Sequence, residues 1–399
     1  MELLDQIFVN GKQWVLALLP GVFQPIASIL LTIATLFGVF ATLFAVTTIL
    51  ERKILGRIQN RFGPNRVGPF GFFQPAADGI KMLTKEDIVP RDADKVIHFL
   101  APLALMVPVA LALAVLPYGR NMVPVEFDAG LLFFFAVGAS TEMSVFMAGW
   151  SSRNKYSLIG AMRGIAQMIS YEVPLVLSTI TVIMIVGSLS LVKIVEAQSG
   201  FVFGFIPGWH VFTPWGLAGF ALFMIAATAE SNRAPFDLPE AESEIIAGYL
   251  TEYSGFKYAL FFMGEYWGMF AISGLAVTLF LGGWNAPLPF LQFIPSYIWF
   301  FTKLIALIFT FIWMRGTLPR LRLDQLMAFA WKFLLPLALV NIVVAAIWHF
   351  SKALDLPGGL GLSLRWMVCA VILAVPYVWL GRGVAQAQRT KRVYQFAEN

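Results

Sequence analysis

"IASILLTIATLFGVFATLFAVTTIL" runs from Ile26 to Leu50 without one charged side chain. A run of about 20 apolar residues, coiled as a helix, matches the hydrocarbon thickness of a bilayer. Hydrocarbon offers no partner to a free backbone N–H or C=O, so a helix, which pairs its own, is the natural spanning element. Eight further runs follow, roughly over 97–117, 130–149, 158–187, 214–232, 258–281, 296–316, 331–349 and 364–381. The alternating pattern of membrane barrel strands is absent. The 399-residue chain is 59% hydrophobic and only 13% charged, and its mean hydropathy of +0.76 lies far from that of soluble domains. These features predict an all-α polytopic membrane protein with about nine transmembrane helices. The opening "MELLDQIFVNGK" lacks a basic n-region, and the first apolar run is long enough to span, so the segment does not read as a signal peptide.

Lys and Arg set the orientation. With the N-terminus outside and each helix reversing the chain, the inner side receives nine basic residues between Arg52 and Lys95. It then receives Arg153, Lys155, Arg233, Lys257, Arg315, Arg320 and Arg322, and in the tail Arg382, Arg389, Lys391 and Arg392. The outer side keeps Lys12, Arg120, Lys193 and Lys352, with Arg365 at a helix mouth. This bias predicts an N-out, C-in topology. The net charge of +5 is mostly this orientation signal and makes no case for nucleic acid.

Cys369 is the single cysteine, which excludes an internal disulfide and a cysteine-ligated iron–sulfur cluster in this chain. His98, His210 and His349 lack metal-ligand spacing. No glycine loop for phosphate is present, so no metal and no catalytic residue is assigned. Redox chemistry, if the chain takes part in it, belongs to cofactors on other subunits. No internal repeat is visible, unlike the usual inverted-repeat transporter.

Two inner segments are long and rich in charge, Glu51–Lys95 and Arg233–Lys257. In the first, Gly63-Pro64 and Gly68-Pro69 break regular structure, and Pro75 can open a helix. Phe73, Ala76, Ala77, Ile80 and Leu83 then recur at helical spacing, with Gln74, Asp78, Lys81 and Lys85 on the other side. That pattern predicts a short amphipathic helix lying in the cytoplasmic interface. A solvated loop whose arginines only fix topology and touch anionic lipid is the plainer alternative.

Carboxylates also occur inside the apolar runs. Glu142 and Glu172 fall near the middle of the third and fourth, and Glu265 about a third of the way into the sixth. Glu51 and Glu230 mark the inner ends of the first and fifth. An ionised carboxylate at the bilayer centre costs about 2.5–3.5 kcal/mol, so such groups face protein or a water-filled cavity. Arg163, Gln167, Tyr171, Pro174 and Ser178 share one face of the fourth run, with Glu172 at its edge. Pro174 removes a backbone N–H and can open the helix to water. Asp237, Glu240, Glu242 and Glu244 form an acidic rim beyond Glu230. A single such Glu can simply hydrogen-bond a neighbouring helix, and the rim can dock a basic partner. Several carboxylates leading from mid-membrane to a cytoplasmic rim predict a proton path through Glu142, Glu172, Glu265, Glu230 and Glu51 to the rim.

The segments "ERKILGRIQNRFGPNRVGPFGFFQPAADGIKMLTKED" (51–87), "SLIGAMRGIAQMISYEVPL" (157–175), "AESNRAPFDLPEAESEIIAGYLTEYSGFKYALFFMGEY" (229–266) and "WMRGTLPRLRLDQLMAFAWKFLLPL" (313–337) resemble, in order, motifs of the H-type subunit family of bacterial NADH-quinone oxidoreductase, respiratory complex I. The resemblance spans about residues 26–350. It implies a membrane-arm subunit, eight spans in 1–350, that helps form the quinone tunnel and couples quinone reduction to proton translocation. Residues 351–399 add a ninth span and a basic tail beyond the family's usual end.

The resemblance further implies quinone as substrate, with NADH, FMN and Fe–S clusters confined to partner subunits and nothing bound covalently. The partners it implies are peripheral-arm quinone-module subunits and antiporter-like membrane subunits, in a bacterial inner (plasma) membrane. By motif position it implies that Arg52, Asp78 and Arg315 line the tunnel. It places Glu172, Glu230, Asp237, Glu240, Glu242, Glu244 and Glu265 in the acidic chain, whereas Glu142 matches no motif of the family. A quinone has an apolar tail and a polar head. The face of Phe73, Ile80 and Leu83 offers an apolar entry, and Arg52 and Arg315 offer charge to the reduced head. Two other readings remain open on the sequence: an anchor subunit of a membrane-bound hydrogenase-type complex, and a stand-alone proton or ion transporter.

Overall fold

The computed structural model describes residues 5–202, 204–238, 246–351 and 359–389. Each of the nine apolar runs forms a helix. A short helix, α1 (Ile7–Ala17), precedes α2 (Gln24–Ile58). Then come the short amphipathic α3 (Gln74–Thr84), α4 (Lys95–Val115), α5 (Gly130–Ser151) and α6 (Lys155–Val186). After the short α7 (Leu191–Glu196) and a two-stranded hairpin, Phe201–Val202 with Ile206–Pro207, follow α8 (Pro214–Glu230), α9 (Gly255–Phe280) and α10 (Ser296–Thr317). The last two are α11 (Leu323–Phe350) and α12 (Gly359–Arg389). Among the described residues, eight helices are long and apolar enough to cross a membrane, and α8 is a shorter apolar helix. At about 26 Å, α8 sits at the lower end of spanning lengths.

α9 is the axis of the bundle: 72% of its apolar window is buried, against 6% for α2 and α12, which are peripheral. Apolar burial does little to drive helices together in lipid, so close backbone approach matters more. A Cβ at Gly149 of α5 would lie 2.4 Å from the Cβ of Ala161 on α6, and one at Gly160 would lie 2.8 Å from Gly248 Cα.

The first charged segment differs from the loop expected of Glu51–Lys95. α2 continues two turns past the apolar run, because "ERKILGRI" contains strong helix formers and only one glycine. It stops where Asn60 adopts a left-handed conformation, with φ of 54°. The amide of Arg61 then donates to Gly56 O at 2.8 Å and that of Asn60 to Arg57 O at 3.2 Å, the paired bonds of a Schellman cap. The helix is about 52 Å long, so Glu51, Arg52 and Arg57 ride on a rigid rod. α11 carries a π-helical stretch, Ala330–Leu334, just before Pro336, which has no N–H to continue the regular ladder.

Three contacts lock the ends. Asp5 accepts from the amide of Ser296 at 2.7 Å and so caps α10 from the far N-terminus. Ser254 accepts from the Ile88 amide at 2.8 Å, and Lys257 lies 2.8 Å from Asp87, joining the two charge-rich segments. Arg365 of α12 donates to Ser351 Oγ at 2.9 Å and to Trp348 O at 2.8 Å, with its guanidinium 4.4 Å from the Trp348 ring centroid. The final helix therefore docks on the end of α11.

Candidate functional site

Four segments meet at Glu51. Its carboxylate, on the extension of α2, is 5% exposed. Arg315 of α10 donates to Oε1, and the Tyr266 hydroxyl of α9 donates to Oε2. Nη1 of Arg233, in the turn after α8, lies 3.6 Å from Oε1. The Arg233 guanidinium stands 3.9 Å from the Tyr266 ring centroid. Burial works against a charge on Arg233, but Tyr266, Glu51 and Glu265 outweigh it and raise its pKa, so the guanidinium stays protonated. Around Glu51 itself stand two cations, Arg233 and Arg315, and Glu265 adds a second negative group within reach of Arg233. The cluster reaches the surface through Arg315, whose side chain is 37% exposed.

Arg52 turns to a different partner. Its Nη1 lies 2.7 Å from Asp78 Oδ2 of α3, and Gln74 donates to Asp78 Oδ1 at 3.2 Å. Burial opposes ionisation of Asp78, but the hydrogen bond and charge of Arg52 prevail and hold its carboxyl below the usual range. The pair is partly exposed, and such pairs contribute about 0.2–1 kcal/mol. Its main effect is orientation. α3 attaches to α2 by its polar edge and leaves Phe73, Ile80 and Leu83 facing outward.

A cavity of about 100 Å³ lies among α4, α5, α6, α9 and the end of α8, with room for several waters. Glu172, Glu230 and Glu265 all line it, as do Ser231, Asn232 and Tyr249. Tyr249 donates to Glu265 Oε1 at 2.7 Å. Glu230 Oε2 and Glu142 Oε1 are buried with no hydrogen-bond partner among the described residues. Glu142 lies within electrostatic reach of Glu172 and Glu230. The structure therefore groups Glu142, which no family motif covers, with the other membrane carboxylates.

One turn connects the cavity to the Glu51 cluster. Glu230, Ser231 and Asn232 line the cavity, and the next residue, Arg233, reaches Glu51. Gln167 holds this turn by donating to Ala229 O at 2.8 Å and Phe236 O at 2.6 Å. Tyr171 donates to Leu326 O at 3.0 Å, and Ser178 bonds within its own helix. Pro174 is buried inside a continuous α6. The polar face of α6 thus positions neighbouring backbone, which its spacing alone could not reveal.

Asp237 is buried, and Arg320 Nη2 lies 2.9 Å from its Oδ2, so this member of the expected rim is a neutralised pair. Glu240, Glu242 and Glu244 lie outside the described residues. Arg233, Tyr266, Tyr249 and Gln167 were not singled out as site residues from the sequence. The available signal was Arg233 itself, a lone arginine amid carboxylates where the chain leaves a span.

A family model described as NADH dehydrogenase matches residues 31–346. The NADH-quinone oxidoreductase H subunit of Dehalococcoides mccartyi (strain ATCC BAA-2266 / KCTC 15142 / 195) is 47% identical over 357 residues, 89% of this chain and 97% of that relative. That of Geobacillus kaustophilus (strain HTA426) is 48% identical over 329 residues, 80% and 96% of the two chains. An H subunit of the same enzyme from Geobacter metallireducens is 48% identical over 328 residues, 80% and 95%.

Proposed function

The chain belongs to the NADH dehydrogenase family, as a multi-pass membrane subunit of the NADH-quinone oxidoreductase complex, and from this premise we propose that it helps form the quinone tunnel and passes the charge change of quinone reduction to a carboxylate proton path. The observation that carries this is the single turn, Glu230 to Arg233, shared by the membrane cavity and the Glu51 cluster. The quinone enters past the outward face of Phe73, Ile80 and Leu83, and its head meets Arg52, Asp78 and Arg315. The partly exposed guanidinium of Arg315 favours an electron-rich head. Charge gained there competes with Glu51 for the arginines, and the perturbation acts on Arg233 over a few ångströms of poorly screened protein. Glu230 stands three residues away, with Glu172, Glu142 and Glu265 beyond it. The rim of Asp237, Glu240, Glu242 and Glu244 completes the path.

In this reading all nine apolar helices cross the bacterial inner membrane, N-out and C-in. Residues 1–350 form the family domain, and 351–399 form an extension that braces α11. NADH oxidation, FMN and Fe–S clusters belong to partner subunits of the peripheral arm, and antiporter-like subunits adjoin in the membrane.

The test begins with mass spectrometry of what co-purifies with the chain from native membranes in mild detergent. Flavin and iron–sulfur subunits with antiporter-like subunits are expected. Nickel–iron hydrogenase subunits, or the chain alone, would overturn the assignment of partners. In membranes with the full complex, Glu172→Gln is expected to weaken NADH-driven proton pumping; unchanged pumping and quinone reduction would remove Glu172 from the path.

A further inference from the structure

A second cavity, of about 470 Å³, lies between α8, α10 and the start of α11. Its size falls in the range of small-ligand sites, about 300–1,000 Å³, and exceeds the small voids of a close-packed interior. Met224, Phe236, Leu307, Met314, Leu318 and Phe329 are among its apolar lining residues. On α10 the lining positions Leu307, Thr310 and Met314 follow helical spacing, with Leu318 just past its end. They occupy a different face from Arg315, so this cavity is separate from the Glu51 cluster.

Three polar side chains reach the cavity, and each has a local partner. Thr228 donates to Ile225 O at 2.7 Å, Thr310 donates to Ala306 O at 3.0 Å, and Gln325 Oε1 accepts from the Arg322 amide at 3.3 Å. The walls therefore ask for an apolar occupant, and the two unbranched methionines can adapt to its shape. From Leu307 to Met314 the cavity runs beside about 10 Å of α10, and Leu318 extends it past the helix end.

The Leu318 end is open. Leu318 is 47% exposed. Arg320 and Arg322 follow it at the end of the bundle that the charge bias assigns to the cytoplasmic interface. The Arg320 side chain stays 36% exposed despite its pair with Asp237. Arg322 is exposed and has no ion-pair partner among the described residues. An apolar, partly open slot with a basic mouth at the interface is complementary to an amphiphile with an anionic head.

We propose that this cavity holds one acyl chain of an anionic phospholipid, with the headgroup phosphate at Arg322 and Arg320. The lipid braces the turn that carries Arg233, because Pro235 and Phe236 form part of the wall and Pro235 O accepts from the Leu321 amide at 3.1 Å. The site does not depend on the function proposed above.

The test uses the complete complex in nanodiscs containing one of three photoreactive probes. These are phosphatidylglycerol with a diazirine in its acyl chain, phosphatidylcholine with the same chain, and a quinone with a diazirine in a long isoprenoid tail. Labelled peptides are read by mass spectrometry. Phosphatidylglycerol is expected to label the 220–236 and 307–318 segments about five-fold more than phosphatidylcholine, from the attraction of a basic residue for an anionic head. Thr310→Trp fills the slot without breaking a tertiary bond and is expected to abolish that label. Labelling of the exposed face of α12 at Val371 and Trp379 serves as the control and stays constant.

Equal labelling by the two phospholipids, or labelling that survives Thr310→Trp, overturns the proposal. So does labelling by the quinone probe alone, or a partner-subunit peptide cross-linked there in place of lipid. Arg322→Gln, at an exposed position, decides the matter if Thr310→Trp fails to assemble. Loss of the phosphatidylglycerol preference supports the site, and an undiminished preference overturns it.

Discussion

Glu51 and Glu230 belong to different helices, yet one turn joins them: Arg233, three residues after Glu230, lies 3.6 Å from Glu51. Gln167 pins the same turn from a third helix. A change of charge at the surface-facing end of the Glu51 cluster is therefore one short segment away from a cavity lined by three carboxylates.

Glu51→Gln removes the anion that balances Arg233 and Arg315. Breaking a buried ion pair from one side costs about 3–5 kcal/mol. Reduced assembly of the complex on native gels is expected, together with loss of quinone reduction in what assembles. Normal assembly and turnover would show that the arginines do not need this carboxylate.

Glu230→Gln keeps shape and removes the proton-carrying function. Losing a positioned proton carrier costs on the order of 10²-fold, which takes NADH-driven pumping in inverted vesicles to background. Assembly should survive, because Glu230 Oε2 has no hydrogen-bond partner among the described residues. Full pumping in the variant would take Glu230 off the path.

Arg52→Ala breaks an exposed pair worth less than about 1 kcal/mol, so the complex should assemble. The apparent quinone KM is expected to rise several-fold, as α3 loses its anchor on α2. An unaltered quinone titration would rule out a tunnel role for Arg52.

Gln167→Leu leaves the carbonyl of Phe236 without its donor, whereas that of Ala229 keeps the Asn232 amide at 3.3 Å. An unsatisfied buried acceptor costs about 1–3 kcal/mol. Faster hydrogen exchange over 229–236 is expected, with lowered coupling of pumping to NADH oxidation. Exchange matching the wild type would mean that other contacts hold the turn.

His210 lies in the loop before α8, where burial pulls its imidazole down to about 4, against the weaker pull of its bond to Leu279 O. A base with a depressed folded pKa stabilises the fold while neutral. That contribution is complete above the unfolded value of about 6.5 and declines as pH falls toward 4, a loss of about 3 kcal/mol. Thermal stability of the complex should fall across this window, and His210→Gln should lower stability at neutral pH while flattening the acid limb. Parallel acid limbs in the two proteins would exclude His210 as the titrating group.

Composition alone sufficed for the membrane class, because the strongest constraint is local: a run such as Ile26–Leu50 must coil and must avoid water whatever surrounds it. Each apolar run accordingly forms a helix, six of them close to the expected bounds, while α2, α11 and α12 run five to eight residues beyond theirs at one end or both. The short amphipathic helix α3 was equally legible, since Pro75 and the spacing of Phe73, Ile80 and Leu83 act within a few turns. The extension of α2 to Ile58 was missed, because a charged stretch after a span looks like loop until the Asn60 cap is seen. Pairings of charge were not legible at all. Glu51 and Arg52 are adjacent letters, yet one meets Arg315 and Arg233 from distant segments and the other meets Asp78 on α3. The polar face of α6 read as a relay edge, and Gln167 and Tyr171 instead secure distant backbone. Which carboxylates share a cavity, and which arginine stands between them and the surface, depends on how helices remote in sequence pack around α9. Electrostatic contact falls off over a few ångströms in space and takes no account of separation along the chain, so only the tertiary structure could decide it.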